Sequence, residues 1–389
     1  MPEQQEVAYN RSNPYPWYRY MRETQPVFYD QERKRWYLFR YEDVQRAFLN
    51  PHVFSSKGIA GGGFVGASFM ATDPPYHRQL RALVSQTFTP RQIARLETRI
   101  QEIVRELLDA VVAAGEMDVI TDLASPLASM VITELLDVPR ADREQFKQWI
   151  DRIFEDMGSS APLRDFSAQA TLAAYVLQLI EMRRREPTDD FISGLLAAET
   201  EGQKLSDTDI QNTCVLLLVA GHETTANLIG NAIYCFTEQP QVLAELRADP
   251  ELVPGAIEEA LRYHSPVSST PRIAAVNTQI GTNTIKAGDF VFLVSASANR
   301  DESVFVDPDR FDIRRTPNRH FGFGHGIHFC LGAPLARLEG KIALTAMLER
   351  LPDLHRIPER PLEVEVVPSG LFQGTKHLPI AFTPTARVM

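Results

Sequence analysis

The chain has 389 residues, of which 44% are hydrophobic and 23% charged, a balance that is typical of a soluble globular protein and excludes fibrous and disordered classes. Its net charge of −10 disfavours nucleic acid as a partner. No apolar run approaches the roughly 18 residues of a membrane span, and the first residues form no signal peptide, which predicts a cytoplasmic protein without a membrane anchor. The three cysteines, Cys214, Cys235 and Cys330, form no C-x-x-C pair, which fits a reducing compartment better than a disulfide framework.

In chain order, the predicted elements begin with a β-hairpin at residues 27–29 and 36–39 and a glycine-rich loop at residues 58–70. Helical patterns follow at residues 75–83, 91–114, 121–136, 142–157 and 166–185. Residues 158–164 are predicted to form a lid tip. Ser206 begins a long helix that continues to Pro240, and Asp209 is its capping-box-like partner. The remaining predictions are strands within residues 272–298 and 364–382, and a helix at residues 333–351.

The most informative motif is the loop FGFGHGIHFCLG at residues 321–332, which surrounds Cys330 with glycines. A cysteine thiolate can ligate haem iron and favour cleavage of the O–O bond. Glycines in a tight turn allow backbone N–H groups to approach the sulfur and tune it. Phe323 is large enough to cover the sulfur, and His328 could donate a hydrogen bond to a haem propionate. The alternative is a buried core cysteine, which would not require Gly324, Gly326 and Gly332, an aromatic ring and a histidine at fixed offsets.

This loop matches the signature F-x-x-G-x-H-x-C-x-G of the cytochrome P450 family at Phe323, Gly326, His328, Cys330 and Gly332, and nearly the whole chain resembles that family. The resemblance implies a mostly α fold with a smaller β-rich region, in one triangular domain over residues 1–389. Its β-rich part is expected roughly at residues 26–40, 272–298 and 355–389. The resemblance also implies haem b as the cofactor, with Cys330 as the ligand of its iron.

The predicted long helix carries the sequence AGHETT at residues 220–225, directly after an apolar run. Small, acidic and hydroxyl residues in a buried helix violate core rules, and such violations are typical of functional sites. Ala220 and Gly221 leave room for a ligand, and Thr224 can donate to the carbonyl of Ala220. The alternative is a helix face with a solvated glutamate and a back-bonded threonine. The resemblance implies that Glu223 and Thr224 are the family's acid–alcohol pair, which delivers protons, and that His222 is a lining residue.

A Glu259-x-x-Arg262 pair lies on a predicted helix. On its own, a pair at this spacing is usually a surface bridge that contributes a few tenths of a kcal/mol. The resemblance implies instead a buried structural network, with Arg310 in the sequence DPDRFD as its third member.

Basic residues are expected to bind the two haem carboxylates, and the resemblance supplies four: His77, Arg81, Arg272 and His328. His77 and Arg81 share a helix face because they are four residues apart. Arginine binds carboxylates with two parallel hydrogen bonds. Taken singly, each of the four would be a solvated charge. The rest of the predicted cofactor-binding set is Ala220, Gly221, Phe323, Cys330 and Gly332.

The predicted substrate pocket is mostly apolar and rests on family positions: Phe64, Met70, Val219, Ala220, Val267, Ser268, Ser269, Leu371 and Phe372. The implied reaction is a monooxygenation that uses O2 and inserts one oxygen atom into an apolar small molecule, by hydroxylation or epoxidation. Electrons are expected from NAD(P)H through a separate ferredoxin (or flavodoxin) and its reductase, and the protein is expected to be a monomer. An acidic carrier is expected to dock on a basic patch, namely Arg78, Arg91, Arg95, Arg337 and Lys341.

Three alternatives remain at this point. A peroxide-driven oxygenase and a nitric-oxide reductase share the fold but typically lack the acid–alcohol pair, so Glu223 and Thr224 argue against both. A thiolate-haem sensor or electron carrier would need no substrate pocket. The glycine-rich loop and the predicted lid favour substrate entry instead.

Overall fold

The computed structural model describes residues 8–10, 12–59, 68–158, 167–200, 202–357, 360, 363–366 and 371–386, with the backbone alone for residues 154–158 and 363–366. Most of the predicted lid and of the predicted glycine-rich loop, including Phe64, lies outside the described residues.

Helices make up most of the described chain, which confirms the predicted mostly α fold. The α-helices are α1 (Tyr15–Thr24), α2 (Tyr41–Leu49), α3 (Tyr76–Thr87), α4 (Pro90–Val111), α5 (Ser125–Leu135), α6 (Arg143–Gly158), α7 (Ser167–Arg185), α8 (Phe191–Ala197), α9 (Asp207–Thr237), α10 (Pro240–Ala248), α11 (Val253–Tyr263), α12 (Ser295–Ala298) and α13 (Ala333–Arg350). A π-helical turn leads into α5, and short 3-10 turns lie at Phe69–Ala71, Arg140–Asp142, Pro250–Leu252 and Gly326–His328.

The long helix α9 has 31 residues, which at 1.5 Å per residue is about 46 Å. Its start is the predicted capping box, because the Asp209 N–H donates to Ser206 Oγ at 3.1 Å and the Ser206 N–H donates to the Asp209 carboxylate at 3.1 Å. Most of α9 is buried, and it packs against α5, α7, α11 and α13. The helix therefore carries the AGHETT sequence through the centre of the largest core cluster.

The β-rich part consists of short strands: β1 (Val27–Asp30), β2 (Arg35–Leu38), β3 (Phe54–Ser55), β4 (Glu116–Asp118), β5 (Glu199–Thr200), β6 (Gln203–Lys204), β7 (Thr270–Ala274), β8 (Thr278–Ile280), β9 (Asn283–Ile285), β10 (Phe290–Leu293), β11 (His355–Arg356), β12 (Glu363–Val366), β13 (Gln373–His377) and β14 (Pro379–Ala381). The largest sheet has the order β1-β2-β10-β7-β3, with β1 and β2 as the predicted antiparallel hairpin. Smaller sheets are β11-β14-β4, β12-β13, β5-β6 and β8-β9.

Buried apolar side chains of the described residues form three clusters. The largest surrounds α9, and a second lies between the five-stranded sheet and α2. Phe321 belongs to this second cluster and stacks on Tyr41, with ring centroids 4.4 Å apart. Burial of one such ring stabilises the fold by about 1.5–3 kcal/mol, so it anchors the start of the Cys330 loop. No helix within the described ranges is long and apolar enough to cross a membrane.

Candidate active site

The Cys330 loop is a tight turn that leads directly into α13. Gly324 and Gly326 have φ values of +70° and +69°, which side chains rarely adopt. A Cβ at Gly326 would also lie 2.8 Å from the carbonyl oxygen of Phe48 in α2. The Cys330 N–H donates to the carbonyl of Phe323 at 2.9 Å. Glycine is therefore required at both positions for the turn that presents the cysteine.

Cys330 is an exposed residue, although enough protein surrounds its thiol that burial raises the pKa of that thiol. Backbone N–H groups of Gly332 and Ala333 and the charges of Arg81 and Arg337 act in the opposite direction and lower that pKa. Cys214 and Cys235 are buried instead, as core residues should be. An exposed cysteine in a crowded loop, with backbone N–H groups beside its sulfur, has the chemistry of a metal ligand.

Beside this loop, α3 and β7 contribute buried basic side chains. The ring of His77, which is 3% exposed, lies 4.2 Å from the ring of His328. His77 Nε2 has no hydrogen-bond partner among the described residues, whereas His328 Nε2 lies 3.1 Å from Ser56 Oγ. Burial, assisted by the neighbouring arginines, lowers the pKa of His77 to about 4 and that of His328 to about 3. Both rings are therefore neutral at pH 7.

The two arginines of the same group form no ion pair with another residue that the structure describes. Arg272 is 4% exposed and donates to the carbonyl of Pro271 at 2.8 Å, and burial lowers its pKa to about 10. Arg81 donates to the carbonyl of Phe329 at 2.7 Å. The negative charge of Asp73 acts against burial and raises the pKa of Arg272. We call His77, Arg81, Arg272 and His328 the basic cluster.

The basic cluster fits the carboxylates of a haem. Two propionates would give the orphaned His77 Nε2 a partner and would compensate the buried charge of Arg272. The structure brings all four predicted residues together around the loop that contains the exposed Cys330. The donor set therefore matches the predicted cofactor, and the individual haem contacts remain predictions.

The AGHETT segment shows an interruption in an otherwise buried helix. Ala220 is exposed although Val219 before it is 6% exposed. Thr224 Oγ1 donates to the carbonyl of Ala220 at 2.5 Å, the hydrogen bond that the sequence predicted. A Cβ at Gly221 would lie 3.2 Å from Ile132 in α5, so this glycine permits close packing of two helices. Contact of Gly221 with a cofactor stays a prediction.

His222 does not line the face that carries Ala220 and Thr224. It is 3% exposed, and its Nε2 lies 3.4 Å from Ser125 Oγ and 3.8 Å from Asp151 Oδ1 in α6. A residue two positions from both 220 and 224 projects from the other side of a helix, which explains the difference from the expectation. Burial lowers the pKa of His222 to about 4.

Glu223 has a partner that the sequence analysis missed. Its Oε1 accepts a hydrogen bond from Asn227 Nδ2 at 3.0 Å, one helical turn further along α9. Asn227 is buried, and a Cβ at Gly374 would lie 1.9 Å from its Oδ1. Gly374 in β13 therefore makes room for the amide that orients Glu223. The i,i+4 spacing was the available signal.

The predicted pocket residues from two distant segments are neighbours in space. Val267 forms a β-bridge with Phe372, and the Ser268 N–H donates to the carbonyl of Leu371 at 2.8 Å. Ser268 and Ser269 are both buried. Met70, in the 3-10 turn Phe69–Ala71, is exposed. Whether these residues contact substrate stays a prediction.

Glu259 and Arg262 are both completely buried and joined by two hydrogen bonds of 2.8 Å. The third charged side chain is Arg315, whose Nε donates to both carboxylate oxygens of Glu259 at 3.2 Å. The prediction of Arg310 was wrong in this respect, because its side chain is exposed and only its backbone carbonyl accepts from Arg262, at 3.1 Å. Asn318 donates to Glu259 at 3.1 Å. We call Glu259, Arg262, Arg315 and Asn318 the glutamate network.

Two more carboxylates near the loop gave no recognisable sequence signal. Glu258 accepts hydrogen bonds from Arg337 and His320. Glu339, in α13, is 3% exposed, and its Oε2 has no hydrogen-bond partner among the described residues. Burial raises the pKa of Glu339 well above its ordinary value. Acidic residues on a helix usually indicate a solvated face, which is why neither was predicted to be buried.

A cysteine presented by a glycine turn, a cluster of buried basic side chains and a threonine bonded into the central helix together fit a haem-thiolate protein. The cytochrome P450 family model matches residues 18–352. The chain is 45% identical to putative cytochrome P450 YjiB of Bacillus subtilis, over 91% of each chain, and 43% identical to cyclomarin C epoxidase CymV of Salinispora arenicola, over 94% of this chain and 95% of that one. Substrate-free CYP109E1 from Bacillus megaterium superposes with a TM-score of 0.90 at 38% identity, over 97% of this chain and all of that one. The chain belongs to the cytochrome P450 family and is a haem-thiolate monooxygenase.

Proposed function

We propose that this monooxygenase oxidises a neutral, largely apolar small molecule, with Cys330 as the haem ligand and Glu223 and Thr224 as the proton-delivering pair. The observation that carries the proposal is the hydrogen bond from Thr224 to the carbonyl of Ala220 on the exposed patch of a buried helix. The Thr224 hydroxyl can exchange its hydrogen bond to the Ala220 carbonyl for a hydrogen bond to a ligand that binds beside Ala220. When bound, the haem supplies the redox chemistry that activates O2.

The residues of the chain have separate tasks in this scheme. Cys330 provides the thiolate, and the N–H groups of Gly332 and Ala333 stabilise its negative charge. The basic cluster holds the haem carboxylates and thereby fixes the orientation of the cofactor. Glu223 passes protons to the Thr224 hydroxyl, while Asn227 holds the Glu223 carboxylate in place.

The substrate is expected to be uncharged because the predicted lining offers no arginine or lysine. Its described members are Met70, Val219, Ala220, Val267, Ser268, Ser269, Leu371 and Phe372. A carboxylate would be left without a countercharge there, which costs several kcal/mol. The hydroxyls of Ser268 and Ser269 are suited to a few polar contacts. Likewise, CYP109E1 has been crystallised in complex with testosterone and with corticosterone, which are uncharged apolar molecules.

Electrons are proposed to come from NAD(P)H through a ferredoxin or flavodoxin and its reductase. Of the predicted docking residues, Arg95 pairs with Asp189 and Arg337 pairs with Glu258. Arg78, Arg91 and Lys341 are exposed, with no ion-pair partner among the described residues. We therefore propose that these three are the charges that attract an acidic carrier, at a rate that falls as salt rises.

The test of the acid–alcohol pair is the Thr224→Ala variant of the haem-loaded enzyme, supplied with NADH, a ferredoxin and its reductase. We expect unchanged substrate binding, less product per NADH and more released hydrogen peroxide. Thr237→Ala is the matched control, because Thr237 donates to the carbonyl of Ile233 at 2.9 Å in the same helix. Unchanged coupling in Thr224→Ala would remove the proposed role, and equal activity with peroxide alone would favour a peroxide-driven oxygenase.

The substrate class is tested by spectral titration with a matched pair, a carboxylic acid and its neutral ester or alcohol. Displacement of water at the haem changes the spectrum when a ligand fills the pocket. We expect the neutral compound to bind more tightly. Tighter binding of the acid would contradict the proposal.

A further inference from the structure

Next to the buried Glu259, the neighbouring residue Glu258 faces the Cys330 loop and joins two basic side chains. Arg337 Nε and Nη2 donate to the two carboxylate oxygens of Glu258 at 2.7 and 2.8 Å. His320 Nε2 lies 3.1 Å from Glu258 Oε2. These three residues come from α11, α13 and the segment that begins the loop, so they connect the elements on either side of the cysteine.

The hydrogen bonds of His320 fix which of its nitrogens carries the proton. The Gly322 N–H donates to His320 Nδ1 at 3.0 Å, so Nδ1 must present its lone pair. The proton therefore resides on Nε2 and is donated to Glu258. Burial raises the pKa of Glu258, but the hydrogen bonds from Arg337 and His320 outweigh it and lower the pKa to about 2. Glu258 is a carboxylate at every pH at which the enzyme works.

Arg337 also faces the sulfur side of the loop. Its guanidinium lies 4.6 Å from the centroid of the Phe323 ring, and the carbonyl of Phe323 accepts the hydrogen bond of the Cys330 N–H at 2.9 Å. Arg337 therefore places a positive charge beside the residue whose carbonyl holds the backbone of Cys330. A charge that stabilises negative sulfur withdraws electron density from it, and the carboxylate of Glu258 compensates that charge.

We propose that the Glu258–Arg337 pair is an electrostatic couple that sets how strongly the Cys330 thiolate donates to the iron, and hence the reduction potential of the bound haem. The inference rests on the proposed ligand role of Cys330. Both residues act through the cysteine and are positioning residues, since neither would touch substrate. Because the two residues carry opposite charges, neutralising each one should shift the reduction potential in the opposite direction.

The sign of each shift in reduction potential follows from the negative charge of the electron that reduces the haem. In Glu258→Gln the charge of Arg337 is uncompensated, which favours the reduced haem and raises its potential. In Arg337→Gln the positive charge is lost and the potential falls. The double variant returns close to the wild-type value. Because Glu258 and Arg337 are 30% and 39% exposed, solvent screening will make each shift smaller than a fully buried pair would give.

The experiment is a spectroelectrochemical titration of the haem-loaded protein without any redox partner, together with the spectrum of its reduced carbon-monoxide complex. Arg337→Lys should keep the potential close to wild type, because it conserves the charge. Asp109→Asn is the matched control, since Asp109 pairs with Arg350 near the other end of α13 and should leave the potential unchanged.

Each outcome decides one question. Opposite shifts of the two single variants, with cancellation in the double variant, support the couple. Shifts of the same sign, or none, would show that the pair only clamps the loop and would overturn the inference. Absence of the thiolate band from the wild-type carbon-monoxide complex would instead refute the proposed ligand role of Cys330, so the two failures are distinguishable.

Discussion

The glutamate network and the basic cluster both bury positive charge beside the Cys330 loop, and they differ in how completely that charge is paired. In the network, Arg262 has two bonds to Glu259 and three to the carbonyls of Asn299, Pro308 and Arg310. In the cluster, Arg272 donates to one carbonyl among the described residues, and its pKa is lowered to about 10. The network is complete within the chain, whereas we propose that the cluster takes its anions from the haem carboxylates.

The difference separates two meanings of a buried charge. A fully paired group holds elements of the fold together, and removal of one partner leaves the other stranded. An incompletely paired buried charge has a desolvation cost that its partners do not offset, and a bound ligand of opposite charge lowers that cost. Pairing distinguishes these cases where residue type does not, because both regions contain buried arginine.

The largest expected effect comes from breaking the network at its centre. Glu259→Gln leaves Arg262 and Arg315 without a carboxylate, and we expect a loss of about 3–5 kcal/mol in the free energy of unfolding, with poor haem content. Denaturant unfolding of the purified holoprotein measures this. Glu245→Gln, which removes the partner of Arg314 in an exposed pair, should change stability by less than about 0.5 kcal/mol. Equal stability of the two variants would contradict the account.

A smaller effect tests which arginine completes the network. Arg315→Met removes two charged hydrogen bonds to Glu259 and is expected to cost about 2–3 kcal/mol. Arg310→Met is the matched control and should cost less than about 0.5 kcal/mol, because its carbonyl remains. Unfolding midpoints of the two variants would decide, and a larger loss for Arg310→Met would restore the prediction made from the sequence.

The cost of burying a charge also applies to His222, which belongs to neither region. This residue is buried near Ser125, Asp151 and Lys147. Because burial lowers its pKa to about 4, the folded state binds fewer protons than the unfolded state between about pH 6.5 and 4. This contribution to stability is present above pH 6.5 and is lost as the pH falls, by about 2 kcal/mol at pH 5. His222→Gln should flatten the stability profile over that window, whereas the exposed control His355→Gln should not. Parallel profiles for His222→Gln and the wild type would refute this.

The smallest expected effect is on cofactor retention by the basic cluster. Arg272→Met removes one cation that would pair with a haem carboxylate, and we expect about tenfold faster loss of haem, or about 1.4 kcal/mol. Transfer of haem to a globin acceptor measures the rate. Arg78→Met changes an exposed arginine of the same α3 that contributes Arg81 and should leave the rate unchanged. An unchanged rate in Arg272→Met would show that the cluster does not hold the carboxylates.

The sequence predicted what local spacing determines and missed what long-range pairing determines. The bond from Thr224 to Ala220 and the capping box of Ser206 follow from positions within one helix, and both are confirmed. The Glu259–Arg315 and Glu258–Arg337 pairs join residues 56 and 79 positions apart. Spacing gives no information about such partners, so Arg310 was chosen by resemblance and the role of Glu258 was not foreseen.

The central claim, that Cys330 presents a thiolate to haem iron, is tested most directly by the spectrum of the reduced carbon-monoxide complex. The wild-type protein should show the red-shifted Soret band of thiolate ligation, and Cys330→Ser should lose that band even where it retains haem. Retention of the band by Cys330→Ser would contradict the account.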